Sequence, residues 1–178
     1  MADLRRAEAE ARELLRIHGV QQPPVDVQAI AEHEGIRIRF TEMQDGVSGV
    51  LVQRGGSSVI GINSAHHPHR QRFTLAHELA HYRLHSEGPT VYVDQAMVHF
   101  RSDVPATPAE VEANTFAAAL LMPEEFVRTE LQGRPIDAFD DDAVRRLSQR
   151  YRVSPQALTI RLMELGLIGG LGGRQGRG

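Results

Sequence analysis

Two histidines, His77 and His81, stand four residues apart, with a glutamate directly after the first: His77-Glu78-Leu79-Ala80-His81, the pattern H-E-x-x-H. On an α-helix, residues four apart share one face, one turn above the other. Two imidazoles so placed can present nitrogens to a single metal ion. Glu78 lies about 100° round the helix from His77. From there it can reach a water on the ion without being a ligand, which makes it a candidate general base. The chemistry is metal-assisted hydrolysis. A chain of 178 residues with nine His and 14 Glu would show about 0.035 such matches by chance. The pattern alone therefore leaves open a plainer reading, three polar residues on an amphipathic helix.

Catalytic zinc usually takes three protein ligands and keeps one position open. His85, Glu110 and Glu112 are the candidates for the third. His85 continues the every-fourth spacing, but in a straight helix it lies roughly 12 Å along the axis from His77. No Gly or Pro stands between His81 and His85 to break the helix. His85 therefore reads as a residue behind the ligands or in the substrate pocket, or as a packing histidine. Glu112 precedes Phe116 by one turn on an apolar face and is the preferred third ligand. Glu110 reads as the closing residue of a capping box that starts at Thr107. Zinc suits a set of two His and one Glu, with Mn2+ as the alternative that metal availability would decide. His66-His67-Pro68-His69 reads as a polar loop opening a helix, since a short His tract is only a compositional hint of metal.

The elements that must position these residues are legible from periodicity and caps. Asp3 to His18 has helical apolar spacing, with Asp3 as cap and Gly19 as stop. Asp26 caps a short helix that Gly35 ends. Ile36–Phe40, Gly49–Val52 and Val59–Ile62 read as strands, with Arg54-Gly55-Gly56-Ser57 as a hairpin turn. A helix starts at Pro68 and carries Phe73, Ala76, Leu79, Ala80 and Leu84 on its core face. A strand is possible at Val91 to Val93. Thr107-Pro108 opens a helix that runs to Met122. Asp140 to Tyr151 and Ser154 to Leu165 are two closing helices.

Composition limits the classes. Hydrophobic residues are 41% and charged residues 24%, which suits a globular domain. No apolar run approaches the roughly 20 residues of a membrane span, and no secretory signal is visible. Cys is absent, which excludes disulfides and a cysteine nucleophile and fits a cytoplasmic location. The net charge of −3 does not call for nucleic acid as the main partner.

The stretch Phe73-Thr-Leu-Ala-His-Glu-Leu-Ala-His81, with Glu112-Ala-Asn-Thr-Phe-Ala117 and Leu120-Leu-Met-Pro123, resembles the ImmA/IrrE zinc metallo-endopeptidases. Pro23-Pro-Val-Asp26, Ile30-Ala31 and Gly35-Ile36 upstream resemble it too, as do Val153-Ser154, Ala157-Leu158, Arg161-Leu162 and Leu165-Gly166 downstream. The resemblance spans roughly residues 10 to 168. It implies an α+β zincin-like core with a small, mostly antiparallel sheet, an active-site helix and a C-terminal helical subdomain. Residues 1–138 would be the metallopeptidase domain, 139–168 the helical, helix-turn-helix-like subdomain, and 169–178 a disordered Gly/Arg tail.

The resemblance also implies His77, His81 and Glu112 as metal ligands and Glu78 as catalytic base. The expected function is zinc-dependent cleavage of a cytoplasmic protein, a helix-turn-helix repressor, which derepresses a stress regulon or mobile element. Tyr82, His85, Tyr92, His99 and Arg101 are candidates to stabilise the oxyanion or line the substrate pocket. A substrate could add as a strand to the sheet's exposed edge, with Val59 to Ile62 as the place to probe it. The rival readings are a metal-dependent binding module (an antirepressor) without proteolysis, and a DNA-binding regulator that uses residues 140 to 165.

Overall fold

Helices begin where a short polar side chain can accept from the first free N–H groups. Asp3, Asp26, Thr107, Asp140 and Ser154 each accept from the backbone N–H three residues on. The computed structural model describes residues 1–86, 90–95, 106–137 and 140–169. Along them run α1 (Leu4–Ile17), α2 (Val27–His33), β1 (Ile36–Thr41), β2 (Val47–Arg54), β3 (Ser57–Asn63), α3 (Pro68–Leu84) and β4 (Thr90–Gln95). Then follow α4 (Pro108–Leu121), α5 (Glu124–Glu130), β5 (Ile136–Asp137), α6 (Asp141–Tyr151), α7 (Pro155–Glu164) and β6 (Ile168–Gly169). His99, Arg101 and the tail beyond Gly169 lie outside the described residues.

The main sheet has the order β1-β3-β2-β4. β2 runs antiparallel to both its neighbours, and β1 pairs parallel with β3. The β2–β3 turn has Gly55 and Gly56 at φ 57° and 76°, the left-handed pair that a tight hairpin turn needs. β3 lies between β1 and β2, so Val59 to Ile62 is interior and not the edge that the sequence suggested. Among the described residues the edges are β1 and β4. The register sets Ile38, Ile60, Leu51 and Tyr92 across from one another on one face. Strand alternation turns that face inward: Leu51 and Ile60 are fully buried, while Val91 beside Tyr92 is exposed.

α3 is enclosed between this face and the helices α1 and α4. Every residue from Thr74 to Leu79, and on through Ala80 and His81, is buried. Sequence periodicity had suggested a one-sided apolar face, but a helix covered on both sides buries its polar positions as well. Phe73, assigned to the core, sits only at its margin. α4 lies close against α3 and presents the buried small residues Ala113 and Ala117. Helices α6 and α7 contribute Leu147, Tyr151, Leu158 and Leu162 to the same hydrophobic core. Arg161 of α7 is buried, donating to the Met122 carbonyl and to Glu8. Among the described residues no helix is long and apolar enough to cross a membrane.

Candidate metal centre

His77 and His81 leave α3 one turn apart, and their Nε2 atoms approach to 3.1 Å. The carboxylate that meets them is Glu110, not Glu112. Glu110 Oε2 lies 3.2 Å from His77 Nε2, and Oε1 lies 3.3 Å from His81 Nε2. These three residues form the candidate metal-holding group among the described residues. Both histidines are almost wholly buried, whereas the Glu110 side chain is 27% exposed.

The expectation of a capping box is half met. Thr107 accepts from the Glu110 N–H at 3.2 Å, but the Glu110 side chain turns to the imidazoles. Glu112 stands about 200° round α4 from Glu110, so the two carboxylates reach different partners. Glu112 accepts from the Asp3 N–H at 2.6 Å and meets His85 Nε2 at 2.9 Å. The sequence held a signal for Glu110. Glu110, Ala113, Asn114 and Ala117 form one i, i+3, i+4, i+7 stripe, and its small residues let α4 approach α3. Asn114 is the site residue that sequence reasoning missed: its Oδ1 accepts from His77 Nδ1 at 3.0 Å.

The electrostatics suit a cation. The two imidazoles hold the Glu110 carboxyl far below the usual carboxylate range, so it is ionised at neutral pH. Burial lowers the His81 pKa, against the pull of Glu110, which favours a neutral ring with a free lone pair. The spacing fits as well. Zinc at roughly 2.0–2.1 Å from tetrahedral ligands spaces them about 3.3–3.4 Å apart. The 3.1–3.3 Å separations here match that edge closely.

Glu78 is fully buried on α3, next to the first histidine. It faces the sheet where β2 passes closest: a Cβ placed on Gly49 would meet Glu78 Oε1 at 3.1 Å and Thr74 Cγ2 at 2.5 Å. Only a glycine lets β2 and α3 come this near.

The other candidates separate. Tyr92 is at the centre, with its ring stacked on His81 at 4.6 Å between centroids and 14° between planes. Its hydroxyl donates to the His85 carbonyl at 2.9 Å. The His85 ring meets His81 Nδ1 at 3.1 Å. Tyr82 points elsewhere, donating to the Glu34 carbonyl beyond α2 at 3.4 Å. In the polar loop, His67 caps α3 by accepting from the His69 N–H.

A helix-borne H-E-x-x-H, met by a carboxylate from a second helix beside a small sheet, defines a zincin-like metallopeptidase fold. The comparisons agree. Residues 31–163 match the peptidase family described as the IrrE N-terminal-like domain, and the chain belongs to that family, the ImmA/IrrE group. It is 35% identical over 127 residues to the radiation response metalloprotease IrrE of Deinococcus deserti. That alignment covers 68% of this chain and 42% of the relative, so the match takes in less than half of that protein's length. A solved Mycobacterium tuberculosis transcriptional regulator shares the fold, with a TM-score of 0.55 and 19% identity over 88% of this chain and 46% of that one.

Proposed function

We propose that this protein is a zinc-dependent endopeptidase that cuts a cytoplasmic protein, a helix-turn-helix transcriptional repressor, and so derepresses a stress regulon or mobile element. The observation that carries the peptidase reading is the convergence of His77 Nε2, His81 Nε2 and the Glu110 carboxylate on one point, with Glu78 adjoining. Family membership supports peptide hydrolysis. The repressor as substrate rests on the family resemblance, and the radiation-response relative supports the link to stress.

His77, His81 and Glu110 would hold the ion, with zinc favoured by the donor set and Mn2+ the alternative. When bound, the metal supplies Lewis acidity toward the scissile carbonyl and makes water a nucleophile near neutral pH. Glu78 accepts the proton of the attacking water on its carboxylate and returns it to the departing amine. Burial of both imidazoles keeps bulk water away and strengthens each electrostatic contact. β4 offers a sheet edge along which a substrate strand can add. Tyr92 places that edge beside His81. Direct DNA reading by α7 is disfavoured: Arg161 is its single basic residue, and it is buried.

The test is to incubate the zinc-loaded protein with the repressor encoded next to it and follow intact mass, beside a Glu78→Gln control. A single cut that needs both metal and Glu78 is expected. Co-elution of an uncut repressor with the zinc-loaded wild type would favour the binding-module reading instead. Absence of both cutting and co-elution would rule out that repressor as the target.

A further inference from the structure

We infer that His85 and Glu112 are positioning residues, a relay that locks His81 in the tautomer able to bind metal, and that α1 anchors the relay through the Asp3 N–H. The inference rests on the reading that His77, His81 and Glu110 hold the ion.

The proton positions follow from one end of the chain of contacts. A carboxylate can only accept. Glu112 Oε1 takes the Asp3 N–H at 2.6 Å, and Oε2 faces His85 Nε2 at 2.9 Å. His85 Nε2 must therefore carry a hydrogen and donate it. Carrying that one hydrogen, the ring keeps its lone pair on Nδ1, which lies 3.1 Å from His81 Nδ1. His81 must supply the hydrogen of that contact. With Nδ1 protonated, the free lone pair of His81 is on Nε2, the atom aimed at Glu110 and His77. Every step from Glu112 runs the same way, and with a cation among His77, His81 and Glu110 this tautomer turns the His81 lone pair to the ion, whereas the opposite one would set two lone pairs against each other at His85. His77 reaches the same state in one step, by donating Nδ1–H to Asn114 Oδ1.

The backbone is arranged to present His85 here. α3 ends at Leu84, and His85 is its C-cap at φ −127° and ψ 8°. Its N–H still bonds to the His81 carbonyl at 3.0 Å, while its own carbonyl accepts from Tyr92. The break in the helix lets the ring fold back to His81 instead of continuing along the axis. Tyr92 covers the face of the His81 ring, so the relay fixes its edge and Tyr92 fixes its plane. On the far side, α1 is tied to the same place: Arg6 donates to the Leu84 carbonyl at 3.2 Å, and Asp3 caps α1 while holding Glu112. Outer partners of metal-bound histidines typically matter 10- to 100-fold for metal affinity.

Cobalt(II) serves as the probe, titrated into metal-free protein and read by its visible ligand-field spectrum. Glu112→Leu and His85→Ala are each expected to weaken Co2+ binding about 10- to 100-fold while the band shape stays that of wild type. Glu112→Gln should recover part of the affinity, because its one amide oxygen can still accept from His85 while its NH2 then faces the Asp3 N–H. The double variant should be no weaker than His85→Ala, since the two act in series. In zinc-loaded protein, long-range 1H–15N spectra should show His81 protonated at Nδ1 in wild type and losing that single form in Glu112→Leu. If Glu112→Leu does not fold, His85→Ala alone carries the affinity test, because His85 lies past the end of α3. Affinities within twofold of wild type, or losses that multiply in the double variant, overturn the relay. A changed band shape in Glu112→Leu overturns it too, in favour of direct ligation. Wild-type protein that takes up no Co2+ overturns the metal reading itself, and the relay with it.

Discussion

Replacing Gly49 by alanine adds a single methyl where β2 crosses α3. That carbon would stand 2.5 Å from Thr74 Cγ2, 3.1 Å from Glu78 Oε1 and 3.3 Å from the Gly61 carbonyl. Carbon atoms in contact prefer about 3.5–4.0 Å, so the shortfall against Thr74 is about 1 Å. Thr74 is buried and cannot swing into solvent, and Gly61 belongs to the neighbouring interior strand. Relief must come from moving α3 away from the sheet. Overpacking of this kind costs about 1–3 kcal/mol. The displaced helix carries both imidazoles and Glu78, and a 1 Å misplacement of reacting groups can cost about 100-fold in rate. Urea unfolding of Gly49→Ala should therefore show the loss of stability, and cleavage should slow by at least tenfold at saturating metal. Thr74→Ser removes the clashing methyl but not the Glu78 contact. The double variant Gly49→Ala/Thr74→Ser should regain most of the stability and only part of the rate. A Gly49→Ala protein as stable and as active as wild type would refute the close approach. Equal stability losses with and without Thr74→Ser would refute Thr74 as its cause.

Thr107→Ala removes the N-cap of the helix that carries Glu110, and should cost about 1 kcal/mol, a Tm drop of about 2–4 °C for a chain of this size; an unchanged Tm would show that Pro108 alone sets the helix start. Arg161→Leu strands the buried Met122 carbonyl and should destabilise by about 1–3 kcal/mol, whereas Glu8→Gln should cost about 1 kcal/mol or less; urea midpoints that rank the two the other way would contradict this assignment. Zinc at 100 times its Kd should stabilise the protein by about 2.7 kcal/mol. The gain should vanish with chelator and in His77→Ala, and a Tm indifferent to zinc would argue against a preformed site.

How much was legible in advance depends on how local the cause was. Asp3, Asp26, Thr107, Asp140 and Ser154 accept from N–H groups three residues away, so the helix starts were readable within one turn. Gly55 and Gly56 announced the hairpin because few other residues adopt that pair of angles. His77, Glu78 and His81 sit together by helix geometry alone. The strand order was not readable, because parallel pairing of β1 with β3 depends on partners brought from a distance.

The choice between Glu110 and Glu112 marks that boundary most clearly. The two stand on one helix, two residues apart, and local rules offer each a sensible role, capping for one and an inward face for the other. Which of them meets the histidines depends on the rotation of α4 about its axis. That rotation is set by how Ala113, Phe116 and Ala117 pack into the core, and by α1 engaging Glu112 through Asp3. His85 comes to His81 where α3 ends, and Tyr92 comes to it through the pairing of β4 with β2. The sequence by itself determined a helix able to offer two imidazoles and a base on adjoining faces. Only the tertiary structure decided which carboxylate meets the two imidazoles of the motif and which one meets His85, because that is a property of how two helices pack.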